Sequence, residues 1–261
     1  MAQWLAKLDG HEFDKKNLSK FFTEPTCHVG WMTMERTNDD GAYYLTSDSF
    51  APTAEASEVR AAAEDILRIV NDLMRYRDRG YQPVSLVDIA RSNDDGTRSV
   101  YVFGSAHLTG TARVYAEATV TGADGQPIPS PEPGIAQTRL KLAQQDTSVK
   151  MVLSLWRNCT PTDAALWIYL YKIYEIIGAE MAGGNKNQIK QALARLGWAT
   201  SAELLNFAEA ANNPDVTGDK ARHAAGWKTL RGVIPMSADQ AIAFIHRLTE
   251  LWLDDKMKQT P

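Results

Sequence analysis

The sequence predicts an α+β protein in which an N-terminal antiparallel sheet with packed helices precedes a C-terminal all-α bundle. Apolar and polar residues alternate over residues 112–120, which is typical of a strand with one buried face. Turn-forming Asn, Asp and Gly residues separate the apolar runs before it. Beyond residue 160, apolar residues recur with helical spacing only. We therefore predict a sheet domain over residues 1–134 and a helical domain over residues 135–261, beginning with a long linking helix.

The N-terminal half supplies the strands of the predicted sheet and its first helices. Val59, Ile66 and Val70 share one face of a predicted helix. Ser57 stands where an N-cap residue would begin it. The predicted elements are an amphipathic lead at residues 4–13, a helical turn at 17–22, strands at 27–36 and 42–46 joined by a turn at 38–41, a helix at 57–77, and strands at 83–91, 99–107 and 112–120.

A proline-rich segment and a helical pattern follow the last predicted strand. The prolines between residues 122 and 134 predict a semi-rigid extended loop. After it, Ile135, Leu142 and Val149 recur at heptad spacing, which predicts one long helix over residues 135–157. A helix packed on a sheet explains this spacing better than a coiled coil, because consistent partner positions are missing.

Composition narrows the class of protein. The chain has 261 residues, a formal net charge of -4 and a pI near 5.8, which argues against a dedicated nucleic-acid binder. Cys27 and Cys159 lie far apart, so we expect no disulfide framework and a reducing, cytoplasmic location. The N-terminus lacks the apolar core of a signal peptide, and no window approaches the ~18 apolar residues of a membrane span. We therefore expect no membrane association.

The sequence offers no recognisable metal or cofactor site. Neither a phosphate-cradling glycine motif nor a nucleophile elbow is present. We expect no metal and no cofactor, since no histidine has the spacing of a zinc ligand. The histidines are His11, His28, His107, His223 and His246.

The C-terminal part is predicted to be a bundle of antiparallel helices. Thr160 and Pro161 have the residue types of a helix start. The aromatic stripe of the helix that follows, which includes Trp167 and Tyr174, is more typical of a core than of a cofactor site. The predicted helices cover residues 162–181, 185–196 and 200–211, the last with a Thr200–Glu203 capping box, and a closing helix follows a Ser237–Gln240 capping pair.

Five potentially cationic residues gather between the last two long helices, in a chain that is otherwise acidic. They are candidates for binding an anion or RNA, helped by free N–H groups near Gly218 and Asp219. The alternative is a solvated connector in which Arg222 pairs with an acidic neighbour or bridges helix carbonyls. The candidate residues are Lys220, Arg222, His223, Lys228 and Arg231.

The helical part of the chain resembles the C-terminal bundle of bacterial HEPN-like proteins. Active HEPN ribonucleases carry an arginine followed a few residues later by a histidine, which together act on the scissile phosphate and the ribose hydroxyl. Here Arg222 and His223 are adjacent, so their side chains would point about 100° apart on a helix. The segments that carry the resemblance are the tyrosine-rich stretch 167–175, Ala211-Asn212-Asn213, Ala221-Arg222-His223 and Leu251-Trp252-Leu253.

Three functional hypotheses follow, and the sequence leaves open whether the protein is an enzyme. The first is a non-enzymatic binding or regulatory protein that binds a protein partner or itself, since the HEPN spacing of catalytic residues is missing. The second is a metal-independent, RNA-cleaving or nucleotide-processing HEPN-type enzyme that uses Arg222 and His223. The third is a small-ligand sensor that uses the sheet face and the proline-rich loop.

Overall fold

The computed structural model describes residues 3–32, 41–93, 97–103, 133–222 and 232–259. The chain divides into two compact units, Met1–Gln144 and Gln145–Pro261, which we call the N-terminal and C-terminal units. The first contains an antiparallel sheet with helices, and the described part of the second is helical. The predicted α+β fold class is therefore confirmed.

An antiparallel sheet organises the N-terminal unit. Across the described residues its strand order is β2-β3-β4-β1-β5-β6, and every neighbouring pair is antiparallel. The predicted strands at 27–36 and 42–46 appear as the paired strands β3 and β4, with Val29 opposite Leu45. The strands are β1 (Gln3–Asp9), β2 (Thr23–Glu24), β3 (Cys27–Met32), β4 (Ala42–Thr46), β5 (Ser85–Ser92) and β6 (Arg98–Val102).

The first strand corrects the prediction of an amphipathic lead at residues 4–13. Residues Gln3–Asp9 form β1, which lies between β4 and β5. Trp4, Leu5 and Ala6 are consecutive and all buried, so both faces of the strand are covered. A strand buried on both faces lacks the alternation by which half-buried strands are recognised.

Three helices belong mainly to the N-terminal unit: α1 (Glu12–Phe21), α2 (Ala56–Arg77) and α3 (Pro133–Gln145). The N-cap of α2 is Glu55, whose N–H donates to Glu58 Oε2 at 2.9 Å, and not Ser57 as predicted. The Gln137 side chain of α3 is buried and donates to Thr26 Oγ1 at 2.8 Å.

The predicted long helix over residues 135–157 is wrong, because it is two helices that meet at Asp146. Helix α3 ends at Gln145 and α4 covers Thr147–Trp156. Asp146 Oδ1 accepts from Ser148 N at 2.8 Å and from Val149 N at 3.2 Å, which caps the start of α4. The division between the two units lies beside this break, whereas the predicted domain boundary lies at residue 134.

The C-terminal unit is a set of helices packed around buried aromatic residues. Trp252 is fully buried, and Trp156 Nε1 donates to the buried Thr249 hydroxyl at 3.1 Å. Glycine at position 178 permits close packing of two helices, since a Cβ there would lie 2.3 Å from Ile189 Cγ2. The remaining helices are α5 (Leu166–Met181), α6 (Ile189–Arg195), α7 (Ser201–Asn212), α8 (Pro214–Thr217) and α9 (Ala238–Gln259).

The starts of these helices test the capping predictions. The Thr200–Glu203 capping box is present, and Thr200 N donates to Glu203 Oε2 at 2.8 Å. Ser237 and Gln240 also bond reciprocally. The predicted start at residue 162 is wrong: Asp163 Oδ1 accepts from Ala165 N at 2.7 Å, which holds a turn, and α5 begins at Leu166.

Several predicted elements lie outside the described residues. They include most of the turn at 38–41, the strand at 112–120 and almost all of the proline-rich loop. Within the ranges that are described, no helix combines the length and the apolar character needed to cross a membrane.

Candidate functional site

Helices α5 and α7 place a group of aromatic rings behind the candidate site. The Phe207 ring of α7 lies parallel to the Tyr171 ring of α5, with centroids 6.0 Å apart, and 5.5 Å from the Tyr174 ring. Trp167 and Tyr174 are buried, which confirms the prediction that the aromatic stripe of this helix belongs to the core. Tyr171 is half-buried, so one side of its ring remains available to a polar neighbour.

Arg222 occupies that available side. Its guanidinium carbon lies 4.1 Å from the centroid of the Tyr171 ring, in cation–π geometry. Its Nη2 is 3.4 Å from Glu175 Oε1, and its Nη1 is 3.4 Å from Asn212 Oδ1. The backbone N–H of Arg222 donates to Ala211 O at 2.8 Å. The residue therefore connects the segment after α8 to both α5 and the end of α7.

A buried polar group at the end of α7 supports this connection. Asn213 is fully buried, and its Nδ2 donates to the buried Glu209 Oε1 at 2.7 Å. Asn213 Oδ1 accepts from Asp215 N at 2.9 Å and so caps the short helix α8. Asn212, also buried, donates from Nδ2 to Ala208 O at 2.8 Å. The Asn212-Asn213-Pro214 break is thus held by side chains inside the fold.

The structure places two of the five predicted site residues. Arg222 has the partners given above, and Lys220 lies half-buried at the end of a 3-10 turn over Gly218–Lys220. The other three, His223, Lys228 and Arg231, lie outside the described residues. The sequence did suggest an acidic partner for Arg222, but it did not identify Glu175. The sequence does hold a sign of this pairing, because Tyr171 and Glu175 lie four residues apart and so share one helix face.

Tyr174 shows how this environment affects an ionisable group. Burial raises the pKa of the Tyr174 hydroxyl well above its ordinary value, and the nearby Tyr171 and Glu175 raise it further. The phenol therefore keeps its proton at neutral pH. It can donate a hydrogen bond, but it is a poor candidate for a general base.

A cleft of about 350 Å³ opens elsewhere in the C-terminal unit, between α7, the extended segment before α9 and the first turns of α9. Its apolar wall consists of Ile234, Pro235, Met236 and Phe244. Ile234 is 77 % exposed, the highest exposure among the large apolar side chains of the described residues. The open apolar wall and the projecting isoleucine together form an exposed apolar surface that a protein partner could cover.

Polar contacts fix both edges of this cleft. Met236 N donates to Asn206 O at 3.3 Å, and the Asn206 amide nitrogen, when oriented toward it, lies 3.2 Å from Ile234 O. On the opposite edge, Arg247 Nη2 lies 2.6 Å from Glu203 Oε1. Burial would raise the pKa of Glu203, but bonds from Thr200 N–H and Arg247 outweigh it and hold this pKa below its usual value. The pair is therefore ionised at neutral pH.

The described residues contain neither a cluster of metal ligands nor a reactive thiol. Among the residues whose positions are described, no three His, Cys, Asp or Glu side chains converge as metal ligands. Cys27 and Cys159 are free thiols and both are buried. Burial raises the pKa of the Cys27 thiol to about 12, which leaves almost no thiolate at neutral pH.

Comparison with protein-family models, with curated proteins and with solved structures gave no match to this chain.

Proposed function

We propose that the protein is a non-enzymatic binding or regulatory protein, and that its C-terminal, HEPN-like helical unit binds a second copy of the chain. The observation that carries this proposal is the projecting Ile234 beside the apolar cleft between α7 and α9. The buried free thiols fit a cytoplasmic location, where thiols stay reduced.

The surroundings of Arg222 support a binding role over a catalytic one. A catalytic arginine that steadies a phosphate needs free N–H groups directed at the substrate. Here the guanidinium stacks on Tyr171 and its nitrogens face Glu175 and Asn212. A phosphate would have to displace these groups and would approach the Glu175 carboxylate, which repels it. Arg222 therefore acts best as a structural connection.

The cleft supports pairing with an identical surface. In a two-fold symmetric contact the same patch meets itself, so a patch needs both a projection and a matching recess. Ile234 supplies the projection, and Met236, Ala243 and Phe244 line the recess beside it. The Glu203–Arg247 pair at the rim is already neutralised internally, so it places no unpaired charge in the interface.

The test is the oligomeric state of the wild-type chain and of Ile234→Glu, measured by sedimentation velocity over a wide concentration range. We expect the wild type to dimerise with rising concentration and Ile234→Glu to remain monomeric, because a carboxylate would be desolvated in the contact. Met151→Glu is the matched control: Met151 is 50 % exposed on α4 and lines no part of the cleft, so this variant should still dimerise. A wild type that stays monomeric throughout would disprove the proposal.

An RNA-cleaving enzyme is the alternative that the cationic residues suggest. Purified wild type, Arg222→Lys and His223→Ala should be incubated with single-stranded RNA without added metal. The proposal above expects no cleavage by any of them. Cleavage by a well-folded wild type that is lost in both variants would replace the binding role with the enzymatic one.

A further inference from the structure

A second cleft, of about 450 Å³, lies entirely within the N-terminal unit. It opens where β2, β3 and β4 meet the loop that follows β4. Polar side chains form much of its lining, whereas the cleft of the C-terminal unit has an apolar wall. Thr23, His28, Thr46 and Asp48 contribute polar groups, and Phe50 contributes an aromatic one.

Three of these polar residues form a row across the sheet. Thr23 of β2 lies directly opposite His28 of β3, and His28 lies directly opposite Thr46 of β4. Directly opposed residues of antiparallel strands project to the same face, so the three side chains are neighbours. Gly30, two residues further along β3, lets the imidazole lie close over the strand, since a Cβ there would lie 3.2 Å from its Cε1 and Nε2.

The row presents hydrogen-bonding groups that the described part of the protein does not use. Thr46 is 6 % exposed, and neither its hydroxyl nor the His28 imidazole forms a hydrogen bond within the described residues. Although most of Thr46 is buried, its hydroxyl oxygen is not among the buried polar atoms that lack a partner, so it remains accessible from the cleft. Accessible hydrogen-bonding groups that line a cleft and bond to no described protein group can bond to a ligand instead.

The loop beside the row is held in place independently of any ligand. Ser47 Oγ donates to Thr26 O at 2.6 Å, and Asp48 N donates to Pro25 O at 2.9 Å. Trp4 Nε1 donates to Ala51 O at 3.1 Å, which ties the far side of the loop to β1. A cleft whose walls are fixed in advance loses little conformational entropy when it binds a ligand.

The lining residues define the chemistry of the ligand. The cleft contains no lysine or arginine among the described residues that line it, and the Asp48 carboxylate at its rim disfavours anions. Threonine hydroxyls and the imidazole can both donate and accept, and a carboxylate accepts, which together match the alternating donors and acceptors of hydroxyl groups. The Phe50 side chain adds an aromatic surface that can pack against the apolar face of a ring.

We propose that the Thr23–His28–Thr46 row binds a neutral, polyhydroxylated ring, such as that of a monosaccharide or of the ribose in a nucleoside. Recognition uses the row for ring hydroxyls and Asp48 as an additional acceptor. The Asp48 carboxylate, and the lack of lysine and arginine among the described residues that line the cleft, disfavour phosphorylated ligands. This inference concerns the N-terminal unit and does not depend on the function proposed for the C-terminal unit.

The full-length chain is titrated with one panel of neutral monosaccharides and one panel of nucleosides. Isothermal titration calorimetry measures binding, and the NMR signals of the His28 imidazole show whether the ligand reaches the row. Saturable binding in either panel that shifts His28 supports the proposal, and the panel that binds identifies the source of the ring. Absence of saturable binding in both panels at millimolar concentrations would overturn it.

Variants make the test specific to the row. Thr46→Val keeps the shape and removes the hydroxyl, so we expect about tenfold weaker binding, as for one lost hydrogen bond. His28→Ala should weaken binding at least as much. Thr53→Val is the matched control, because Thr53 is exposed in the same loop and does not line the cleft. Binding that is equally strong in the wild type, Thr46→Val and His28→Ala would show that the ligand lies elsewhere and would overturn the proposal.

Discussion

The polar network around Arg222 in the C-terminal unit and the row of Thr23, His28 and Thr46 in the N-terminal unit both lie beside aromatic side chains. They differ in how their polar groups are satisfied. Arg222 faces a ring, a carboxylate and an amide oxygen of its own unit. The Thr46 hydroxyl and the His28 imidazole form no hydrogen bonds within the described residues, although Thr46 is buried.

This difference separates a structural network from a candidate binding site. Removing a member of a satisfied network leaves its partners without hydrogen bonds, so stability falls. Removing a polar group that bonds to no described protein group costs the fold little, and the loss appears in ligand binding instead. Residue type alone does not make this distinction. The sequence predicted a site at the cationic residues near Arg222, and it predicted none at Thr23, His28 and Thr46.

The largest effect is expected at Asn213, in the satisfied network. Asn213→Ala removes the donor to the buried Glu209 carboxylate and the cap of α8, so we expect a loss of about 3 kcal/mol in the free energy of unfolding. Urea denaturation at neutral pH measures it. The control is Asn187→Ala, at an exposed position of the same unit, which should change stability by less than about 0.5 kcal/mol.

A second substitution at the same position separates the two roles. Asn213→Asp keeps an oxygen for the cap but sets a second carboxylate against Glu209. If the bond to Glu209 dominates, Asn213→Asp should be at least as destabilising as Asn213→Ala. A variant as stable as the wild type would show that only the cap matters.

A smaller loss is expected at Arg222, because its side chain is about one-third exposed. Arg222→Ala should cost about 1–2 kcal/mol, the sum of a cation–π contact and a partly exposed ion pair. Arg222→Lys keeps the charge and loses the planar stack, so its stability should be intermediate. A double-mutant cycle with Tyr171→Leu should give a coupling energy of about 0.5–1 kcal/mol. Additive effects would mean that the ring and the guanidinium contribute independently.

The ion pairs of Lys256 predict how the stability of the C-terminal unit depends on pH. Its Nζ lies 2.6 Å from both Asp146 Oδ2 and Glu180 Oε1. Burial would raise the pKa of Asp146, but the bond from Lys256 and backbone N–H groups outweigh it, so this pKa is lowered. Burial likewise opposes the charge of Lys256, and its two carboxylate partners outweigh it and raise its pKa.

The signs of these shifts set the pH range of the effect. A lowered Asp146 pKa contributes stability above the ordinary carboxyl pKa of about 4, and this is lost as pH falls through the folded value. A raised Lys256 pKa contributes stability below the ordinary lysine pKa, and this is lost as pH rises through the folded value. Lys256→Met should therefore cost about 1 kcal/mol at pH near 7, and less in strong acid or strong base.

Denaturation of Lys256→Met and wild type across this pH range measures the difference. Lys172→Met is the control, since Lys172 is exposed on α5 and forms no ion pair within the described residues. A stability difference that does not change with pH would show that Lys256 contributes through the packing of its stem and not through its charge.

Sequence reasoning succeeded where the determining interaction is local. The Thr200–Glu203 and Ser237–Gln240 caps join residues three apart in the chain, and both are present. The prediction at residues 4–13 was wrong because β1 is covered on both faces and so shows no alternation of apolar and polar residues. The prediction of one helix over residues 135–157 was wrong because Asp146 begins a new helix within a continuous apolar pattern. The α+β class follows from many such local signals together, so it tolerates these errors.

The candidate site depends on contacts between distant residues, which one sequence does not reveal. Arg222 and Glu175 are 47 positions apart, so only the packing of α5 against the segment after α8 brings them together. The row in the N-terminal unit depends on the register of three strands, which places His28 opposite both Thr23 and Thr46. A shift of one residue in either pairing would turn one of these side chains to the other face.

The smallest expected effect on the free energy of unfolding is at Thr46, and it has the opposite sign to the effects above. Thr46→Val replaces the hydroxyl of a largely buried residue with a methyl group of similar shape in a β-strand, where valine is favoured. Since the hydroxyl has no hydrogen-bond partner within the described residues, we expect the free energy of unfolding to stay equal or rise by up to about 1 kcal/mol. Thermal and urea denaturation without ligand measure it, with Thr53→Val as the exposed control. A loss of more than about 1 kcal/mol would mean that the Thr46 hydroxyl is satisfied inside the protein, and the contrast between the two networks would no longer hold.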